Sequence, residues 1–369
     1  MTDTPDTSWS GAHAGAVSHP GLAFPVSRHT DPLSVHVGSR ATVRRLVVED
    51  GEPAINPATG RPLVSDVIGV ITSLDPLVLQ DKQGTSHKIP SDQVVVLKTL
   101  ASRPVRTSDI RAVEQATAAA FPGIDNETAD GWLLRAGDGI TERSNSAVPL
   151  GPSTGTTPVP MDAIRDFYAR HDLPVRLLVP DRVARPAEQL DGTAGPEIIV
   201  MTRDLDGDLP DLPEIPPLAG RSVELSVAED PDDDWLSLYH FRGEPLPEHA
   251  LRLLAKRIDG TLGFARITVD GELVAVTRGT VTRGGTHDYL GFSAVEVAAD
   301  WRRMGLGRYM VTAMLHWGRD HGADRSYLQV ITSNTAGRGL YHSLGFSEHH
   351  RHRCITLPGT LPKQETDML

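Results

Sequence analysis

Cysteine is almost missing from these 369 residues. Cys354 stands alone, which excludes an intramolecular disulfide framework and fits a reducing, cytoplasmic setting. Positive charge is outweighed: 36 Lys and Arg face 48 Asp and Glu, a net charge of −12. That balance argues against bulk nucleic-acid binding and against attraction to an anionic membrane surface. No apolar run is long enough to span a bilayer. No basic segment followed by an apolar stretch opens the chain, so no secretory signal is expected. What remains is an ordinary soluble composition, 39% hydrophobic, with length for two to three domains.

The chemistry concentrates between Val295 and Phe346. Tyr289 to Val297 is apolar and β-branched, the pattern of a buried strand. Tyr309, Ala313, Met314 and Trp317 recur at helical spacing, and Gly322 is a stop signal. Arg302 to Gly307, Arg302-Arg303-Met304-Gly305-Leu306-Gly307, is therefore a loop entering a helix, which continues into Arg308. Bare N–H groups and the positive end of the helix dipole at such a turn suit an anion. Gly305 and Gly307 permit close backbone approach, and Arg302 and Arg303 add phosphate-binding donors. Taken by itself the pattern is weak. The third glycine of a dinucleotide fingerprint is replaced by Met310, and no Walker lysine follows.

Further along, Tyr327 to Val330 reads as a strand, and Asn334-Thr335-Ala336-Gly337-Arg338-Gly339-Leu340-Tyr341 leads to Gly345-Phe346. In this stretch the chain resembles the GNAT superfamily of N-acetyltransferases. Arg302, Gly305 and Gly307 match its acetyl-coenzyme A motif, and Asn334, Leu340, Tyr341, Gly345 and Phe346 match its following segment. Gly337 stands where alanine is usual. The resemblance implies a coenzyme A pyrophosphate on the 302–308 turn, including Leu306 and Arg308. It also implies a pantetheine arm along the strand edge near Val295 and Val297, with Asn334 beside it. Tyr341 matches the general acid that protonates the departing thiolate, whose pKa is about 8.5. The base is less obvious. Gly291, Ser293 and Val295 share one strand face and offer no direct base, while simple alternation puts Glu296 on the other. A bulge would turn Glu296 inward, and His287 and Asp288 begin the strand.

The remaining chain reads as an α/β (α+β) protein in several parts. Residues 1–33, rich in Ser, Thr, Pro and Gly, suggest a disordered arm. Residues 34–104 hold short strands at 41–48, 66–71, 77–80 and 93–97, the spacing of a small antiparallel, SH3-like barrel. Residues 105–203 give a helix from Ser108, strands at Trp132 to Arg135 and Ile140 to Leu150, a helix over Met161 to His171, and strands at Val175 and Ile198. That order suggests a degenerate GNAT-like unit without the glycine loop. Residues 204–220 form an Asp/Pro-rich linker, 221–358 the catalytic unit, and 359–369 a tail. Within the catalytic unit, helices are expected at 234–239 and 247–258 and a hairpin about Asp270-Gly271.

Gly131 to Arg135 and Arg143 to Ser146 resemble a group of actinobacterial tandem acetyltransferases, some similar to N-acetylglutamate synthases. The resemblance offers Arg135, Arg143 and Asn145 as a carboxylate pocket for an amino-acid substrate, or else as internal hydrogen-bonders. The acceptor is then a small amine, with the α-amino group of glutamate favoured and a role in arginine biosynthesis open. A protein lysine is the rival acceptor, and a non-catalytic acetyl-coenzyme A sensor the rival class. His349, His350 and His352 lack the Cys or acidic partners and flanking spacing of a closed zinc site, so no metal site is expected.

Overall fold

The computed structural model describes residues 16–28, 30, 32–100, 105–137, 139–215, 218–241, 244–245 and 258–358. The chain divides into two compact units, Met1–Pro104 and Val105–Leu369.

In the first unit lie β1 (Ala16–Val17), β2 (Val26–Ser27), β3 (Arg40–Leu46), β4 (Val48–Glu49), β5 (Glu52–Pro53), β6 (Val64–Leu74), β7 (Leu77–Gln80), β8 (Ser86–Ile89) and β9 (Val94–Thr99). Seven of them pair in the order β1-β2-β9-β3-β6-β7-β8, antiparallel except for one β2–β9 bridge. Strict alternation along β6, with Val67, Gly69 and Ile71 buried and their neighbours exposed, makes one face of that sheet a core. This is the all-β unit expected, but its pairings run in an open order and do not themselves close a barrel. The arm read as ending at residue 33 is also shorter, because Phe24 and Val26 are buried in this core.

The second unit continues with α1 (Thr107–Ala120), β10 (Asp125–Ala129), β11 (Trp132–Ala136), β12 (Val148–Pro149), α2 (Met161–Arg170), β13 (Arg176–Pro180), β14 (Thr193–Ala194), β15 (Ile198–Asp204) and β16 (Val223–Ala228). After these come α3 (Asp233–Leu238), β17 (His240–Phe241), β18 (Glu244–Pro245), β19 (Gly260–Val269), β20 (Glu272–Gly284), β21 (His287–Val297), α4 (Leu306–Asp320), β22 (Arg325–Ile331), α5 (Thr335–Ser343) and β23 (Ser347–Thr356). The helix expected over 247–258 lies mostly outside the described residues.

The two halves of this unit, expected as separate domains at 105–203 and 221–358, form one body. One sheet runs β13-β23-β15-β22-β21-β20-β19-β16 through both. The last strand of the first half, β15, lies between β22 and β23 of the second. The expected linker after residue 204 is likewise part of this body: Leu205 and Leu218 are buried in its core, and Leu209 and Ile215 pack on it. Proline denied that segment a helix or central strand, but its leucines still had apolar surface to cover.

Helix α4 buries Leu306, Met310, Val311, Met314 and Leu315 on one side of the sheet. Two paired glycines let it lie close. A Cβ on Gly263 would stand 2.7 Å from the Trp317 ring, and one on Gly279 would stand 2.5 Å from Met314 Cε. Helix α1 covers the other side. Its Ala116 and Ala120 carbonyls accept from Thr282 Oγ1 at 2.8 Å and Arg278 Nη2 at 2.9 Å.

Candidate active site

Strands β21 and β22 are parallel, and their pairing is brief. It joins Tyr289 with Arg325, Leu290 with Ser326 and Gly291 with Tyr327, then ends. Yet β21 continues to Val297 and β22 to Ile331. Beyond Gly291 the two strands are no longer paired, and among the described residues the β21 edge from Phe292 onward has no strand beside it on that side, which leaves a cleft between the two. Such an edge presents backbone donors and acceptors to an extended ligand.

The loop at the mouth of this cleft has the predicted form. Gly305 is the N-cap of α4 in the left-handed region, φ 96°, and Arg303 before it has φ 63°. No side chain caps the helix, and no acidic residue occupies its first turn. Its first N–H groups and dipole are therefore left for an anion. Arg302 and Arg303 are exposed, with Arg302 Nε donating to Val297 O at 2.9 Å. Gly307 faces α5, where a Cβ would meet Leu340 at 3.6 Å. Arg308 Nη2 donates to Ser343 Oγ at 2.6 Å and ties α4 to α5. Leu306 is buried in the core, so only its backbone can serve a ligand. Asn334, exposed, caps α5 by accepting from Gly337 N at 2.9 Å. A Cβ on Gly337 would fall 2.7 Å from Asn334 Nδ2, so an alanine there would shift the capping amide.

A bulge resolves the geometry of Glu296. Val276 pairs with Glu296, but Arg278 pairs with Ser293, so two residues of β21 oppose Thr277 alone. The offset turns Glu296 onto the same face as Ser293 and Gly291, against simple alternation. Val295 and Val297 instead pack on the core beneath α4. Tyr341 packs edge-on against Phe346, ring centroids 6.1 Å apart. Burial pushes its phenol up to about 12, and the Glu296 charge adds to the rise, which places the two side chains in one electrostatic neighbourhood. His287 and Asp288 are far from this end. His287 pairs with Asp324 at 2.7 Å and Asp288 with Arg283 at 2.8 Å, some ten residues or ~30 Å up the strand.

The expected carboxylate pocket does not form from all three of its residues. Arg135 is 2% exposed and donates to Ser146 O, Ser146 Oγ and Phe121 O. Asn145 is buried, accepts from Gly137 N and Gly139 N, and donates to Thr141 O. Both are internal hydrogen-bonders. Arg143 differs: it is half-buried, its guanidinium 4.8 Å from the centre of the Phe121 ring. A second guanidinium, that of Arg278, lies 4.9 Å from the same ring, and burial lowers its pKa to about 10. Arg278, opposite Ser293 on the cleft strand, was missed in the sequence. An arginine directly after the apolar run Val274-Ala275-Val276-Thr277, inside a strand pattern, was the available signal.

A family model described as "Probable histone acetyltransferase Rv0428c C-terminal" matches residues 107–355. The probable histone acetyltransferase Rv0428c of Mycobacterium tuberculosis (strain ATCC 25618 / H37Rv) is 39% identical over 326 residues, 87% of this chain and 95% of that protein. The uncharacterized N-acetyltransferase YobR of Bacillus subtilis (strain 168) is 25% identical over 257 residues, 66% of this chain and 97% of that protein. Among solved structures, a GCN5-related N-acetyltransferase from Kribbella flavida superimposes with a TM-score of 0.52 over 70% of this chain and 97% of its own, at 16% identity, a likeness of fold.

Proposed function

This chain belongs to the family of the Rv0428c C-terminal region and is a GNAT-type N-acetyltransferase, and we propose that it acetylates lysine side chains of a basic protein using acetyl-coenzyme A. The observation that carries the reaction is the parting of β21 from β22 beside an uncapped helix N-terminus. The residues present fit the co-substrate. The α4 turn and Arg302 and Arg303 would hold its diphosphate, and the β21 edge from Phe292 to Val297 would hold its amide-bearing arm. The bound thioester supplies the activated acetyl group.

The chain's own residues then manage two protons. Glu296, turned to the cleft face by the bulge, takes one from the attacking ammonium, directly or through water. As the C–N bond forms and the C–S bond breaks, Tyr341 gives its proton to the sulfur and is reprotonated by the second N–H proton that the nitrogen sheds on becoming an amide, while Glu296 releases its proton to solvent. A phenol held near 12 is fully protonated at neutral pH, and a thiolate with a pKa of about 8.5 is a moderate leaving group that gains from such a donor.

For the acceptor, three observations favour a protein lysine. Arg135 and Asn145 are committed internally, which removes most of the pocket for a free amino acid. The net charge of −12 attracts basic substrates. The relative sharing 39% identity is named for histone acetylation. Arg143, half-buried beside Phe121, still favours a free carboxylate. Turnover of acetyl-coenzyme A with lysine-rich peptides, free glutamate and simple amines decides the point. We expect the peptides to lead, with turnover lowered about a hundredfold in Glu296→Gln. Preferential use of glutamate, abolished in Arg143→Ala, would overturn the lysine assignment. Binding without turnover of any amine would overturn the enzyme reading for the sensor.

A further inference from the structure

Helix α1 carries a charged residue on its buried stripe: Glu114 follows Ile110 by four positions and lies among Val113 and Thr117. Its carboxylate meets two imidazoles from β23. Glu114 Oε1 is 2.8 Å from His350 Nε2 and 2.8 Å from His352 Nδ1, across 236 and 238 residues of chain. The three ligand atoms lie within 4.8 Å of one another, and the residues are 1%, 2% and 5% exposed. The second carboxylate oxygen, Oε2, is buried with no hydrogen-bond partner. The fold thus brings to these histidines an acidic partner remote from them in sequence.

Two imidazoles satisfy one oxygen of Glu114 and leave the other desolvated, a costly arrangement for a buried carboxylate. A divalent cation would compensate both oxygens together. Imidazole nitrogens and a carboxylate form a ligand set for zinc and its first-row neighbours. Both carboxylate oxygens and the two imidazoles give up to four donors, and the burial of all three residues keeps substrate from reaching the ion. Bonds of about 2.0–2.2 Å need the present 2.8 Å separations to open by roughly half an ångström. His349 Nδ1 stands 2.8 Å from His350 Nδ1, the ring nitrogen turned away from the carboxylate. That contact orients the His350 ring for coordination through Nε2.

We propose that Glu114, His350 and His352 form a buried structural site for a divalent first-row cation, zinc foremost, pinning α1 to β23. The site shares no residue with the proposed transfer machinery and stands or falls independently of it.

The full chain, expressed in zinc-supplemented medium and desalted, should retain about one zinc by elemental analysis. Because the site is enclosed, removal calls for unfolding with a chelator. Refolding with zinc should raise Tm above the value after metal-free refolding, and refolding with Co²⁺ should give the visible bands of a four-coordinate ion. Glu114→Gln and His350→Gln should lose the metal, whereas His349→Gln should keep it with affinity lower by about 10–100-fold. If the variants fail to fold, the wild-type zinc content and Co²⁺ spectrum still decide. Less than a tenth of an equivalent in the wild type (~0.1 per chain against about one for a closed site), with no Tm response to zinc, would overturn the proposal. Metal uptake unchanged in Glu114→Gln and His350→Gln would do the same.

Discussion

The two halves of the second unit use similar residues to opposite ends. In the first half, Arg135 and Asn145 are sealed inside and spend their polar atoms on backbone partners. In the second, Arg302, Arg303 and Asn334 lie on the surface of a cleft whose strand edge and helix N-terminus have backbone groups to offer. Glycines divide the same way. Gly131 and Gly151 touch, each leaving no room for a Cβ (2.9 and 2.7 Å), whereas a Cβ on Gly305 would meet nothing nearer than Ile215 at 3.9 Å. Motif residues enclosed and satisfied build the fold; those left open at a break in pairing do chemistry.

The largest effect should fall on Tyr341. Tyr341→Phe removes one oxygen from the cleft half, and kcat should fall about 10²–10⁴-fold with little change in KM for acetyl-coenzyme A. The deficit should hold constant from about pH 6 to 9, because a phenol raised to about 12 keeps its proton throughout. A deficit that shrinks toward the alkaline end would mean the group titrates earlier and acts otherwise.

Arg135→Met sharpens the contrast from the other side. It orphans Ser146 O and Phe121 O inside the first half and leaves Ser146 Oγ only its bond to Glu142 O. The loss should be about 3 kcal/mol, lowering Tm by roughly 6–12 °C, with kcat per folded molecule preserved. Arg302→Met should move Tm hardly at all. Equal thermal costs for the two arginines would break the comparison.

Gly131→Ala and Gly305→Ala make the matched pair among glycines. Both have positive φ, 83° and 96°, so each pays about 1–2 kcal/mol for backbone strain. Only Gly131→Ala adds a clash, and it should be the more destabilising in a denaturant titration. Gly305→Ala should stay folded and raise KM for acetyl-coenzyme A about tenfold, since the new methyl group stands at the anion turn.

What the sequence revealed follows the same division. The loop 302–307, the strand before it, and the helices after it were legible because glycine and apolar periodicity are local signals. For Glu296 alternation and a bulge gave opposite faces, and the sequence could not choose between them, since a one-residue bulge opposite Thr277 leaves no composition mark. The strand exchange that sets β15 between β22 and β23 was invisible, because partner choice is decided across more than a hundred residues. Glu114 could have been noticed as an acid on an apolar helix stripe, but its partners could not.

Arg302→Ala should have the smallest effect and the clearest signature. Its side chain is exposed, and Nε already donates to Val297 O, so part of its role is to hold the loop to the end of β21. The remaining guanidinium nitrogens face solvent at the mouth of the cleft, where an ion pair with phosphate is worth about 1 kcal/mol or less. KM for acetyl-coenzyme A should therefore rise only a few-fold, about fivefold at most for that energy, with kcat unchanged. The rise should shrink in high salt, as screening removes from the wild type what the substitution removed from the variant. A salt-independent rise would instead assign Arg302 to loop geometry alone, leaving anion recognition to the backbone of Gly305 to Gly307 and to Arg303.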